Sequence, residues 1–348
     1  MRRMRRFPAV IAAAIGGVLL TAAPTFACGG LIGPNGAVNL LRTTTFAGYH
    51  AGVEHYVTSF EFAGGGGAFG SITPLPGIPS NVERGGDWTL QRLIRETEPQ
   101  RLRDGDFLAF DAAPAAGVEI LLEVTIDALD ITVLKGGGDE VGAWAKEQGF
   151  RLPPDAPEVL DFYASRSPIF LAASFDADKA AERGQAIGDG TPIHVSIPTT
   201  NPWVPLRILG LGKGAAERVE ADVYLLTDRA PAMLPNPIGQ GLFLDHSAAA
   251  TDLLLDDLRA DKGMEWIPES GWLTKVRIDA DAASLRYDLA VDASGQGTPS
   301  RRAAGLESST AAPSDPTLPA LLSVGMLLLA FGAGLVLLPF PGAALRGR

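Results

Sequence analysis

Few residues of this chain carry evident chemistry, and their spacing assigns little of it. Four of the 348 residues are histidine: His50, His55, His194 and His246. His50 and His55 stand five apart, across an expected turn or on opposite faces of a strand. Neither placement sets two imidazoles on one face, as a metal pair requires. His194 falls in a strand-like stretch and His246 follows Asp245, so all four read as structural or surface residues. No Gly-x-Ser-x-Gly elbow of a serine hydrolase occurs. The run Gly210-Leu-Gly-Lys-Gly214 has Arg207 where a phosphate loop needs its first glycine and Gly214 where it needs Ser or Thr, and it reads as a hairpin turn. Asp176-Ala-Asp178 and Asp279-Ala-Asp281 begin like calcium loops but lack the third acid, the central glycine and the closing glutamate. With 40 acidic residues, no carboxylate pair stands out for acid–base work. No catalytic, cofactor-binding or metal-binding residue is therefore assigned, and no cofactor is called for.

The single cysteine, Cys28, rules out an intramolecular disulfide and any cysteine-built zinc or iron–sulfur site. It would become the first mature residue if the chain were cut after Ala27, which makes it the candidate for lipidation. Thr25 and Phe26 stand where a lipoprotein signal carries an aliphatic and a small residue, so the match is poor.

The stretches that position these residues fall into five parts. Residues 1–27 read as a secretory signal peptide: Arg2, Arg3, Arg5 and Arg6, then an apolar run, then Thr25-Phe26-Ala27. Residues 28–292 form an extracytoplasmic domain, with two similar lobes as one reading of a weak internal echo. Residues 293–318 are a flexible linker of Ser, Thr, Ala, Gly and Pro. Residues 319–338 read as a transmembrane helix, since about twenty apolar helical residues span about 30 Å of hydrocarbon. Residues 339–348 form a cytoplasmic tail carrying Arg346 and Arg348, as the positive-inside rule expects.

Within the domain, Val53 to Phe62 alternates as a strand does, and the stretches ending at His50 and beginning at Pro168, Pro192, Val204 and Arg218 also read as strands. Asp87 to Pro99, with Asp87 or Thr89 as its cap, reads as a helix, as do Glu140–Gln148, Glu158–Ala164 and Asp252–Ala260. Strands mixed with scattered helices, without βαβ alternation, predict an α+β fold: mainly antiparallel sheet with short helices, plus the C-terminal membrane helix.

The formal net charge is −11, and six of the 29 basic residues are terminal arginines, so the body is more acidic still. That argues against nucleic acid as a partner.

Several stretches together resemble one bacterial family, the domain of unknown function 2330. They are Ala27-Cys28-Gly29-Gly30, the run Phe69–Gly85 with the helix of Trp88 after it, Trp144–Phe175, Thr191-Pro-Ile193 with Pro205-Leu-Arg-Ile208, Val223–Asp228 and Trp272–Arg277. The resemblance implies an exported, often membrane-anchored bacterial protein without established activity, and it brings no catalytic residues. Relatives often carry further cysteines near the start, whereas this chain has Cys28 alone.

The expectation is a non-enzymatic cell-envelope protein, a binding or assembly module. It would sit in the cell membrane by a single span, with its N-terminal domain outside and its tail inside. Its partners would be the lipid bilayer, through the C-terminal helix, and an envelope protein or ligand. The alternatives are an envelope hydrolase using paired carboxylates and a passive structural spacer.

Overall fold

The computed structural model describes residues 30–32, 40–62, 69–97, 119–176, 191–239, 241–294 and 297–307. The largest sheet has eight strands in the order β13 (Ile238–Gly239), β14 (Leu242–Ala249), β15 (Trp272–Asp281), β11 (Arg218–Thr227), β2 (Leu40–His50), β3 (Val53–Phe62), β9 (Ile193–Pro198), β5 (Asn81–Arg84). Its neighbours run antiparallel except for β11 and β2, which are parallel. A five-stranded antiparallel sheet has the order β1 (Gly30–Ile32), β4 (Phe69–Pro74), β8 (Ile169–Phe175), β7 (Leu129–Lys135), β6 (Glu119–Ile126). A third sheet pairs β16 (Leu289–Asp292) with β10 (Trp203–Val204) on one side and β12 (Ala232–Leu234) on the other.

Strand alternation sends the two faces of the eight-stranded sheet into two cores. Ala47, Tyr56, Val195, Val223 and Leu225 join the larger core, which the other sheets share. Phe46, Val57, Tyr224 and Leu226 point the other way, beneath α1 (Thr89–Thr97) and α4 (Asp252–Ala260), where Leu93, Leu254, Leu255 and Leu258 meet them. α2 (Gly138–Glu147) and α3 (Ala156–Ala164) pack on the larger core through Val141, Trp144, Leu160 and Tyr163.

The fold class departs from the expected α+β. Strand outweighs helix, 42% to 20%, and the fold is mostly β. Each of the four α-helices among the described residues has only nine or ten residues. The sheets gain β12, β13, β14 and β16, which the sequence conceals because they are short or, like β14 (LFLDHSAA), largely polar and exposed. The leader 1–27 and the expected membrane helix 319–338 lie outside the described residues. Among those described, no helix is long and apolar enough to cross a membrane.

Two local expectations also change. The stretch from Val204 does not continue as a strand that turns into β11. Arg207–Gly210 is a turn of 3₁₀ helix, and β10 pairs with β16 instead. The backbone donors of Leu206 and Arg207 go to the Asp288 carboxylate, and that of Ile208 goes to the Tyr163 hydroxyl, so no strand ladder is needed to satisfy them. The chain also remains packed past Asp292: Ala304 is fully buried and its carbonyl accepts the N–H of Asp288.

The cap of α1 comes from neither Asp87 nor Thr89 but from Asp261, far along the chain. Its carboxylate accepts the backbone N–H groups of Asp87 (3.1 Å), Trp88 (2.9 Å) and Thr89 (2.9 Å) and the Thr89 hydroxyl (2.8 Å). A helix N-terminus favours this arrangement by its unpaired donors and its dipole. A Cβ on Gly86 would lie 2.3 Å from Asp261 Oδ2, so the close approach needs glycine there. Asp261→Ala would leave these donors without an acceptor, those of Thr89 buried, and is expected to lower unfolding stability by about 2–4 kcal/mol in urea titration. A change below about 0.5 kcal/mol would show that the cap does not hold α1.

Candidate functional site

Sheet order brings together two histidines that are 139 residues apart. In the register, Gly48 of β2 faces His55 of β3, and His55 faces Ser196 of β9. His194, two residues before Ser196 and on the same face, faces Val57 on β3 and Glu83 on β5. His194 Nδ1 lies 3.1 Å from Glu83 Oε1, and His194 Nε2 lies 2.9 Å from His55 Nδ1. The Glu83 carboxylate only accepts, which assigns the His194 proton to Nδ1 and leaves its Nε2 as acceptor. His55 Nδ1–H then donates to that nitrogen, and the row runs Glu83, His194, His55.

Trp266 covers the pair. Its ring stacks on His55 at 3.9 Å between centroids and 2° between planes. A Cβ on Gly48 would stand 2.3 Å from the indole, so glycine opposite His55 makes room for it. Burial, then the neighbouring His194 and His50, lower the pKa of His55 to about 3. Burial also lowers that of His194, against the opposing pull of Glu83. Both rings are neutral near pH 7. Gly48→Ala is expected to displace the indole and destabilise the fold by about 1–3 kcal/mol, read together with a shift in tryptophan emission. Unchanged stability and emission would show that Trp266 does not press on the sheet at this point.

Ser196 Oγ is 3.4 Å from His194 Nε2, so Glu83, His194 and Ser196 have the residue types of a hydrolase triad. They do not form one. The single lone pair of Nε2 already accepts from His55 at the shorter distance, which leaves no base for the serine hydroxyl.

The other residues singled out in the sequence lie apart. His50 pairs with the exposed Asp228 at 2.7 Å. His246 is on β14, at the far side of the sheet. Asp279 and Asp281 receive Arg218, as ion-paired strand-end acids. Cys28 and Asp178 lie outside the described residues. Among the described residues, no group of three or more His, Cys, Asp or Glu is placed to hold a metal ion.

A cleft of about 630 Å³ opens where β9 ends and β3 begins. Arg166 and Arg302 line it together with Thr199, Thr200, Asn201 and Ser300, and no carboxylate is among its lining residues. Arg166 is held by the buried Asp288 and lies 4.0 Å over the Phe162 ring. Trp203, also in the wall, donates its backbone N–H to Glu54 at 3.2 Å. Glu54 is 1% exposed, and its other oxygen has no hydrogen-bond partner among the described residues. Burial, only partly offset by the Trp203 N–H, raises its pKa to about 8. The acid behind the wall is therefore protonated at neutral pH.

Strand alternation in VEHYVTSFEF already sets Glu54 on the face of Tyr56 and Thr58, opposite His55 and Val57. A carboxyl in the apolar phase of a strand was the readable sign of Glu54. Its folded pKa is raised, so its contribution to stability is full below the unfolded value near 4.5 and is lost as pH rises through about 8. Between those values it makes stability fall by up to about 1.4 kcal/mol per pH unit. In Glu54→Gln that component should vanish from stability measured against pH, and an unchanged slope would contradict a protonated Glu54.

The family model for an uncharacterized protein conserved in bacteria, DUF2330, matches residues 22–236. No curated protein matches the chain. Among solved structures, the crystal structure of baculovirus P35 is similar at a TM-score of 0.40 and 9% identity, over 74% of this chain and 97% of that one.

Proposed function

The chain belongs to the bacterial DUF2330 family, and from that footing we propose that it is an exported cell-envelope protein acting as a binding or assembly module, with the cleft where β9 ends and β3 begins as its seat. The observation that supports this reading is the composition of the cleft wall. Two arginines, four hydroxyl residues (Ser167, Thr199, Thr200 and Ser300) and Asn201 line one concavity without a carboxylate among them, in a chain of net charge −11. Such a wall offers hydrogen-bond donors to a polar ligand and lacks the paired acids of glycoside chemistry. The leader at 1–27 supports export.

A photo-crosslinking residue at the exposed Asn201, in the full chain in intact cells, is expected to capture a discrete envelope component. The same residue at Leu253, exposed on α4 away from the cleft, should not. No adduct at Asn201, or the same adducts at both positions, would overturn the cleft as the seat. Turnover of ester, peptide or glycoside substrates by the purified chain, lost in His194→Ala, would make the protein an enzyme instead.

A further inference from the structure

We propose that His55 and His194 form a linear, two-coordinate site for a soft monovalent cation of the Ag⁺ or Cu⁺ class, held between His55 Nδ1 and His194 Nε2 under the face of Trp266, with Glu83 as the supporting carboxylate.

The orientation of the rings carries the argument. Their nitrogens are 2.9 Å apart and their centroids 5.2 Å apart. In a five-membered ring with bonds of about 1.33 Å, a nitrogen lies about 1.1 Å from the centre. The centroid separation therefore equals the nitrogen gap plus one such radius at each end, so the two rings meet nose to nose. Their planes differ by only 26°. The two nitrogens thus face each other along one line, the geometry of a shared proton. It is also that of an ion with two ligands in line.

Tetrahedral zinc asks for the opposite. Its ligand lone pairs must converge from four directions, and structural sites draw on four side chains. Here two lone pairs oppose each other, and no group of three or more His, Cys, Asp or Glu among the described residues is placed to hold a metal. The closest additional donor is the neutral Ser196 oxygen, 3.4 Å from His194 Nε2. Imidazole is an accepted ligand for copper, and this set selects by coordination number.

With metal–nitrogen bonds of about 2 Å, the pair must open by roughly 1 Å to admit the ion. His55 is only partly buried and lies parallel to the indole, so it can slide along the Trp266 face. The protons balance without release. His194 keeps its Nδ1–H on Glu83, and the single N–H of His55 moves from Nδ1 to Nε2. The site gains one positive charge, which the Glu83 carboxylate opposes through His194, as carboxylate–histidine–metal arrangements do. The indole, parallel to His55 and 5.5 Å from the His194 ring, supplies a negative π face beside the ion.

The test uses the full chain with Cys28→Ser, so that no thiolate competes, dialysed against silver nitrate in chloride-free buffer. The ¹⁵N resonances of the chain's four imidazoles are followed in parallel. Expected is one histidine-dependent Ag⁺ per chain, with His55 Nδ1 and His194 Nε2 shifted while His50 and His246 stay in place. His55→Ala and His194→Ala should each abolish that ion. Glu83→Gln should weaken it by about 10–100-fold, and equimolar Zn²⁺ should not displace it. The resonances report on the unsubstituted rings, so a variant that fails to fold leaves the answer intact. Silver bound without movement of the His55 and His194 nitrogens, silver retained by either alanine variant, displacement by equimolar zinc, or no binding would each overturn the proposal.

Discussion

The carboxylate of Asp288 holds three separate stretches of chain in one place. It is fully buried just before β16 and accepts the Tyr163 hydroxyl at 2.8 Å, the backbone N–H of Leu206 at 2.7 Å and that of Arg207 at 3.1 Å. Its second oxygen receives the Arg166 guanidinium. Tyr163 in turn accepts the N–H of Ile208 at 2.9 Å. A buried charge is tolerable only when its hydrogen-bonding capacity is filled. Here α3, the 3₁₀ turn and β16 must all be in place to fill it, and the requirement fixes them relative to one another. The cleft wall follows from this. Arg166 also donates to the carbonyls of Phe162 and Ala303, so its position is set before any ligand arrives. Its charge is answered by Asp288, which leaves the hydroxyl and amide groups to do the discriminating.

Glu54, the other buried carboxyl near the cleft, is handled in the opposite way. It receives one backbone donor where Asp288 receives four groups. One donor does not replace the water it lost, and burial drives it to hold its proton. The cleft therefore has a neutral acid behind one wall and a compensated ion pair behind another. An acidic chain thereby presents a concavity in which no lining group is negative.

Much of the fold was legible where one rule governs. Alternation placed β3, with both its bounds, and the apolar phase placed β11 and β8. The helix expected over Asp252–Ala260 is α4 with both its bounds, and the Thr251 hydroxyl just before it accepts the N–H of Leu254 at 3.2 Å. Ala51 and Gly52, both at positive φ, form the turn expected between His50 and Val53. Legibility failed where the deciding partner is remote. The α1 cap is Asp261, the turn at Arg207 is set by Asp288, and β14 is a largely polar strand held by β15 along most of its length and by the two-residue β13 on its other side. The histidines failed for the same reason. Alternation shows that His55 and Glu54 face opposite ways, but not that β9 lies beside β3. Spacing along the chain therefore judged His55 only against His50, which pairs with Asp228.

The sheet itself explains why one loop matters so much. Its two halves, β5-β9-β3-β2 and β11-β15-β14-β13, join at the one parallel pairing, β2 with β11. The histidine row lies wholly in the first half. The loop after α4, which leads into the second half at β15, crosses back over it. Within seven residues Asp261 caps α1, Met264 and Ile267 fill the core beneath the helices, and Trp266 lies on His55. The backbone links these functions through the N–H of Met264 on the Asp261 carbonyl and the N–H of Ile267 on that of Met264. A displacement of the Asp261 cap must therefore carry Trp266 with it. The accessibility of the histidine pair is coupled in this way to the seating of α1.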